Sequence, residues 1–360
     1  MKLTRREFLK LASISVIGSA VSAPNFYNAF AAIAKASFPP QPGAGAVKQW
    51  GRVCTPSVQL MSRPNPAGER LRWLKLEEVY EIQQEVAGEG WYPHNNTWYA
   101  IEDGYAYSSN IQPVNNYLNE PVSAIPLAGF PGKGFYGEVT VPYIDAMPTP
   151  AAGGHPVYRL YSSCILYVKK IVPGTDGKIW YDLYDETGKP MFIPGETMRI
   201  VTQDELKPLR PEVADKKVVI NLKLQRLSAY ENNVEVYRTK ISAGREYFGE
   251  NVDGDKLSLT SVGNYALWRK QVSRHMAGGT ATEGYDLPGI GWVSYFAANG
   301  SAIHSCYWHN DYGRPKSSGC LNCTPKDANW LFRWTAPQVA YEPGFKEEPW
   351  PGGTKLIVEG

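Results

Sequence analysis

The sequence lacks any excess of charge of one sign. Its 37 lysines and arginines nearly balance 35 aspartates and glutamates, leaving a formal net charge of +2. No basic stripe stands out, which argues against a nucleic-acid surface. Long apolar runs are also missing. The stretch from Leu11 to Ala23 falls short of the roughly 20 residues that span a bilayer. Cysteine is scarce, with five in 360 residues, which excludes a dense disulfide scaffold. An odd number also leaves at least one thiol free, however the others pair. Histidine is equally scarce at five, so its placement is informative. Helix signals are few.

Aromatic residues are plentiful, with 23 tyrosines and 11 tryptophans against 20% charged residues. That balance suits β-rich domains, whose half-buried pleated faces favour aromatic and β-branched side chains. At the N-terminus, Thr4-Arg5-Arg6-Glu7-Phe8-Leu9-Lys10 matches the twin-arginine export signal, and residues 1–31 read as that signal. Ala29-Phe30-Ala31 is the expected cleavage site and Val21-Ser22-Ala23 an alternative. The mature chain is then expected in the periplasm, at the cell wall or outside the cell. It would touch a membrane only if the signal stays uncleaved. Residues 32–47 are a Pro/Gly/Ala linker.

Two similar units come next. Trp50-Gly51-Arg52-Val53 opens the first, over residues 48–118, and Tyr136-Gly137-Glu138-Val139 opens the second, over 136–206. Pro- and Gly-rich linkers at 119–135 and 207–216 separate them from each other and from the C-terminal region. Short alternating segments recur in each. Leu74–Leu76, Val79–Ile82, Trp98–Ile101 and Gly104–Tyr107 read as strands in the first; Ile165–Val168 and Trp180–Leu183 correspond in the second. Both units resemble bacterial SH3-like domains, which implies small barrels. They would either contact wall glycan or peptide, or act as rigid spacers. His94 and His155 are expected in solvated loops.

Residues 217–360 form the last domain. Val218–Leu224 alternates with period two and reads as a half-buried strand. Leu227–Tyr230 and Val234–Tyr237 form a hairpin across Asn232-Asn233, because asparagine tolerates positive φ. Tyr285–Trp292 reads as an irregular, substrate-facing loop. Trp292, Tyr295 and Phe296 either line a groove or fill the core. Thr324 is a helix N-cap, with Pro325 at the first helical position and Asp327 three residues on. That helix should end near Thr335 and brace the segment before it. Leu356–Val358 reads as a closing strand.

The chemistry concentrates between Ile303 and Asn322, in IHSCYWHNDYGRPKSSGCLN. Ser-Ser-Gly-Cys offers the thiol of Cys320 an open approach and backbone amides for an oxyanion. His304 is the candidate base, and an imidazolium partner can pull a cysteine pKa below neutrality. Three other readings use the same residues. Cys320 could be an inert buried thiol. His304, Cys306, His309, Cys320 and Cys323 could hold zinc. Cys320 and Cys323 could form a redox pair, although such motifs belong in a βαβ context that is absent here. Cys306 and Cys323 could pair as a disulfide and leave Cys320 free. Cys54 and Cys164 are expected reduced.

His304, Ser305, Ser317, Gly319, Cys320 and Asn322 resemble the pattern of the L,D-transpeptidases, whose catalytic domain is called YkuD-type. Ser318 departs from the family's usual His, Arg or Lys, and Arg314 or Lys316 could supply that charge. Ile241–Gly244 and the hairpin before it also resemble this domain, as does Thr260-Ser261-Val262-Gly263, which lacks the family's proline. The resemblance implies a mainly β fold: two small SH3-like barrels, then a β-sandwich-like catalytic domain with one or two short helices. It implies Cys320 as nucleophile, His304 as base and proton donor, the Ser305 carbonyl orienting His304, and the Gly319 amide in the oxyanion hole. Ser318, His309, Arg314, Tyr285, Trp308 and Asn322 would contact substrate, with a structural role also open for His309 and Trp308. The implied partners are peptidoglycan stem peptides, joined by 3→3 cross-links through an acyl-enzyme, without metal or other cofactor. Hydrolysis by an L,D-carboxypeptidase and a non-catalytic, zinc-stabilised wall-binding module remain alternatives.

Overall fold

The computed structural model describes residues 48–125, 132–250, 256–279, 284–349 and 352–360. The twin-arginine segment and the linker after it lie outside the described residues, as do 126–131 of the linker between the units. The described residues are mainly β, with one α-helix, Pro325–Trp334, and three short 3-10 turns. None of their helices is long and apolar enough to cross a membrane.

In the first unit, a five-stranded sheet lies against a three-stranded one. The five-stranded sheet runs in the order Arg70–Lys75, Ser57–Met61, Gly104–Tyr107, Asn95–Ile101, Gln84–Tyr92. Val58, Leu60, Leu74, Tyr99, Ile101 and Ala106 point from it into a small core shared with Val53, Ile82 and Ile111. The second unit builds a five-stranded sheet and a two-stranded ribbon. Both units were expected to be small SH3-like barrels; among the described residues no sheet closes on itself. The second unit instead completes its core with its neighbour. Phe135, Leu166, Tyr181 and Ile193 cluster with Ile290, Val293, Tyr295 and Ala302 of the C-terminal region.

That region is a sandwich of two five-stranded sheets. One has the order Val234–Lys240, Arg226–Glu231, Lys216–Asn221, Lys355–Glu359, Gly263–Ala266. The other runs Leu321–Cys323, Ala302–Ser305, Tyr285–Tyr295, Arg269–Gly278, Phe345–Glu347. Val218, Ile220 and Leu356 of the first meet Trp292, Ile303 and Leu321 of the second in one core. The predicted hairpin forms, with φ of 47° at Asn232 and 65° at Asn233. The closing strand also forms, parallel to Lys216–Asn221. The helix starts as expected: the Thr324 hydroxyl accepts from the Asp327 amide at 3.1 Å. Ala328, Leu331 and Phe332 turn inward to the core behind the Leu321–Cys323 strand.

Tyr285–Trp292 is not a loop, contrary to the expectation from its Pro and Gly content. It belongs to an eleven-residue strand that pairs with Arg269–Gly278. The register shifts between Arg274 and Met276, opposite Leu287–Ile290, so Pro288 and Gly289 sit at a bulge. Proline's missing N–H is tolerated there, and Gly289 takes a φ of 69°. The strand is buried on both faces, because the second unit covers one and the sandwich core the other. Trp292 and Phe296 go to the sandwich core and Tyr295 to the opposite face, so all three fill core.

Lys270 has no apolar alternative to explain it. Its side chain is fully buried, and burial pushes its ammonium well below the ordinary lysine range. Nζ donates to the Phe332 carbonyl and to the Thr335 carbonyl at 2.8 Å, closing the C-terminal end of the helix. Removing it leaves those carbonyls without their donor. Lys270→Ala should therefore cost about 3 kcal/mol of stability, read as a lower unfolding temperature; a variant that melts with the wild type would show that this contact contributes nothing.

Candidate active site

The site is built on a parallel pair of strands. Ile303 faces Leu321, His304 faces Asn322, and Ser305 faces Cys323. Ile303, Leu321 and Cys323 point into the sandwich core. Alternation therefore sends His304, Cys320 and Asn322 to the opposite face. There they line one cavity of about 500 Å³ together with Ser318, Tyr285 and Trp308. Six of the sequence-predicted residues are thus brought together. Arg245, Ser301 and Lys316 also line this cavity; of these, only Lys316 had a signal in the sequence, as a spare cation near Cys320.

A polarised hydrogen-bond chain runs behind the cavity. The Asp311 amide donates to His309 Nδ1 at 3.2 Å, and His309 Nε2 donates to Asn322 Oδ1 at 3.2 Å. Asn322 Nδ2 points at His304 Nε2 at 3.4 Å, and His304 Nδ1 donates to the Ser305 carbonyl at 2.8 Å. The Ser305 carbonyl thus orients the ring as expected and leaves Nε2 as its basic nitrogen. His309 does not reach the cavity. It is buried behind Asn322, so its contact is with the site's amide and not with a ligand.

Burial sets the protonation of the pair. It pushes His304 down to about 4, against the upward pull of the Ser305 carbonyl. Burial likewise pushes the Cys320 thiol up, offset in part by a backbone hydrogen bond at Ala302. The resting site therefore holds a neutral thiol and a neutral imidazole, and not the thiolate–imidazolium pair expected from the sequence. A neutral Nε2 is the form that can take the thiol's proton as attack begins.

The turn before Cys320 is tied to itself. Gly319 takes a φ of 130°, a conformation that favours glycine. Its amide donates to Ser317 Oγ at 3.1 Å, and Ser317 Oγ donates to the Cys320 carbonyl at 2.5 Å. The Gly319 amide is thus engaged within the turn, a correction to its expected place as a free oxyanion donor. Thr260 anchors the turn from outside, its hydroxyl donating to the Gly319 carbonyl at 2.8 Å. The Ser242–Asn322 pair adds two backbone bonds, of 3.0 and 2.9 Å, on the other side.

The connection from Cys306 to Ser318 is held by the first unit, which the sequence did not reveal. Asn310 Nδ2 donates to the Ser108 and Ile111 carbonyls at 3.0 and 3.1 Å. Buried Arg52 donates to the Tyr307 carbonyl at 2.6 Å. His94 was expected in solvent, but its Nε2 lies 2.7 Å from Asp311 Oδ1. Arg314 is not in the catalytic cavity; its guanidinium stacks 4.1 Å from the Tyr92 ring, in a separate groove. All five cysteines are free, so the Cys306–Cys323 disulfide is not formed. Among the described residues no cluster of three or more His, Cys, Asp or Glu side chains is arranged to hold a metal, which goes against the zinc reading.

Residues 215–358 match the family model described as YkuD, L,D-transpeptidase catalytic domain. No curated protein matches the chain. Among solved structures, an L,D-transpeptidase from Mycobacterium smegmatis is 17% identical with a TM-score of 0.32, over 50% of this chain and 67% of that one. The catalytic domain of the E. faecium L,D-transpeptidase is 21% identical with a TM-score of 0.28, over 40% of this chain and 97% of that one. L,D-transpeptidase 3 from Mycobacterium tuberculosis is 18% identical with a TM-score of 0.30; the match spans 40% of this chain and 60% of that enzyme.

The buried histidines make stability depend on pH. Burial pushes both His304 and His309 down to about 4, whereas an exposed histidine titrates near 6.5. Between these values the unfolded chain binds more protons than the folded one, so stability should fall as pH drops from about 6.5 to about 4. Thermal unfolding across that range should show this slope, and His309→Gln should flatten it in part; an unchanged slope would contradict the buried, neutral state of His309.

Proposed function

We propose that this chain, whose residues 215–358 carry an L,D-transpeptidase catalytic domain, is a cysteine acyltransferase acting on peptidoglycan stem peptides. The observation that carries the reading is that His304 and Cys320, the latter one residue before the strand paired with that of His304, line a single cavity. In this reading Cys320 Sγ attacks the donor carbonyl while its proton passes to His304 Nε2. The terminal D-alanine leaves as an amine, taking that proton from His304. The same nitrogen then accepts a proton from the incoming side-chain amine of a neighbouring stem, and a 3→3 cross-link forms. Asn322 Nδ2 yields His304 Nε2 to the thiol with little cost, since a 3.4 Å contact is long for a hydrogen bond.

Water in place of the amine would release a tripeptide, the carboxypeptidase reaction on the same acyl-enzyme. The cavity opens beside Tyr285, which is 44% exposed, and Lys316, so an acceptor chain has an approach that is not enclosed. That access admits an acceptor stem as well as water.

Cys320→Ala should abolish turnover of a disaccharide-tetrapeptide, while Cys306→Ala and Cys323→Ala, which alter buried thiols away from the cavity, retain most of it. Intact mass after carbapenem treatment should rise by one adduct, mapped to Cys320. Dimers as the main product support transfer, and tripeptides hydrolysis. Equal loss in all three cysteine variants would remove the nucleophile assignment.

A further inference from the structure

The five-stranded sheet of the first unit is apolar on both faces, and the outer one buries a small cluster of its own, Met61, Trp98 and Tyr107. Val58, Leu60, Leu74, Tyr99, Ile101 and Ala106 occupy the packed face. Alternation then puts Gln59, Trp73, Trp98 and Tyr107 on the other. A sheet with one face in a core normally turns polar residues outward. Here the outer face carries an aromatic cluster instead. Trp91 stands 4.9 Å from Trp98 and 5.3 Å from Tyr107, ring centre to ring centre. Trp73, Trp91 and Tyr92 remain 47%, 37% and 43% exposed.

This face is one wall of a groove of about 310 Å³, and the connection that carries the nucleophile's turn is the other. Arg314 and Lys316 reach into it from that side. Asp311 lies there too, but its carboxylate is already shared between His94 at 2.7 Å and Lys316 at 3.0 Å. With that acid neutralised, the groove keeps a net positive character. Lys316 lines both this groove and the cavity of Cys320, so the two are neighbours across one side chain.

We infer that the groove binds the glycan strand from which the donor stem peptide hangs. The ring C–H faces of an N-acetylated sugar carry slight positive charge and stack on the negative faces of Trp73 and Trp91, while Tyr92, already stacked with Arg314 and His94, borders the site. Gln59, Ser109 and Asn110 border the same groove and offer polar partners for hydroxyl and acetamido groups. The stem peptide then leaves the sugar past Lys316, where its carboxylates meet the cations, and enters the cavity of Cys320. A purely peptidic occupant does not need a row of exposed rings with polar side chains between them. The link to the stem peptide rests on the acyltransferase reading of the Cys320 cavity; the sugar site itself does not.

The test is titration of the full chain with a stem-free N-acetylglucosamine hexamer, monitored by tryptophan fluorescence. Saturable binding is expected, weakened about tenfold or more in Trp73→Ala, which corresponds to about 1.4 kcal/mol, and left intact in Cys320→Ala. Trp73→Ala should also raise KM for a glycan-linked tetrapeptide and leave KM for the free tetrapeptide in place, whereas Arg314→Gln should raise both. Carbapenem acylation of Cys320 in each variant that keeps the thiol reports that the fold is retained. Absence of saturable hexamer binding by the wild type, or equal binding by Trp73→Ala, overturns the sugar site while Cys320 acylation still stands. Hexamer binding without any acylation at Cys320 would keep the sugar site and sink the acyltransferase reading. Tighter binding of a free stem peptide than of the hexamer would also overturn the proposal.

Discussion

The parallel pairing of Ala302–Ser305 with Leu321–Cys323 is the constraint on which the site depends. Its register faces His304 with Asn322 and leaves Cys320 one step before the pair begins. A slip of one residue would turn Leu321 and Cys323 out of the core and bury Cys320 instead. Leu321 and Cys323 are fully buried, so that slip is strongly opposed. A parallel pair also needs a long return between its strands, since no two-residue turn can join them. The return from Cys306 to Cys320 carries Trp308, Lys316 and the glycine turn. The geometry of the strands thus creates the loop that dresses the site.

A loop of that length does not hold itself. The Ile241–Arg245 segment takes up the backbone groups of Asp311, Gly313, Lys316 and Ser317, and the first unit adds Arg52 on the Tyr307 carbonyl, His94 on Asp311, and the Ser108 and Ile111 carbonyls on the Asn310 side chain. The second unit does a different job. It covers the outer face of the sheet that carries His304, which is why the strand is buried on both sides from Pro288 to Tyr295. The two units therefore support the catalytic sheet and its loop separately, and neither behaves as a bead on a flexible tether. The same burial explains the protonation of the pair. A cavity backed this closely favours neutral groups, and the polarised chain from Asp311 through His309 and Asn322 to His304 delivers hydrogen bonds without adding a charge.

Much of this was legible in the order of residues. The Asn232-Asn233 hairpin, the Thr324 cap and the spacing of His304 and Cys320 depend on local chemistry, and local chemistry is visible in a single chain. The features that stayed hidden depend on contacts far apart in sequence. His94 looked like a loop residue because its partner, Asp311, lies in another unit. Arg314 sits six residues before Cys320 yet faces away from it, since the loop turns it toward Tyr92. Pro288 and Gly289 disguised a strand, because a bulge and a covering unit made them tolerable there. Lys270 gave no sign of burial, since only the folded helix supplies the carbonyls that justify it.

These hidden features share a cause that also explains the architecture. A thiol that is to be reached from outside needs an open approach and a rigid turn beneath it. Here rigidity comes from Thr260, Ser317 and the paired strands, all within the catalytic sandwich. Reach comes from the cavity's open side, beside Tyr285 and Lys316. The loop is fixed by the first unit and by the sandwich together, and Lys316 lines both the cavity and the aromatic groove, so the two share one side chain at their common edge.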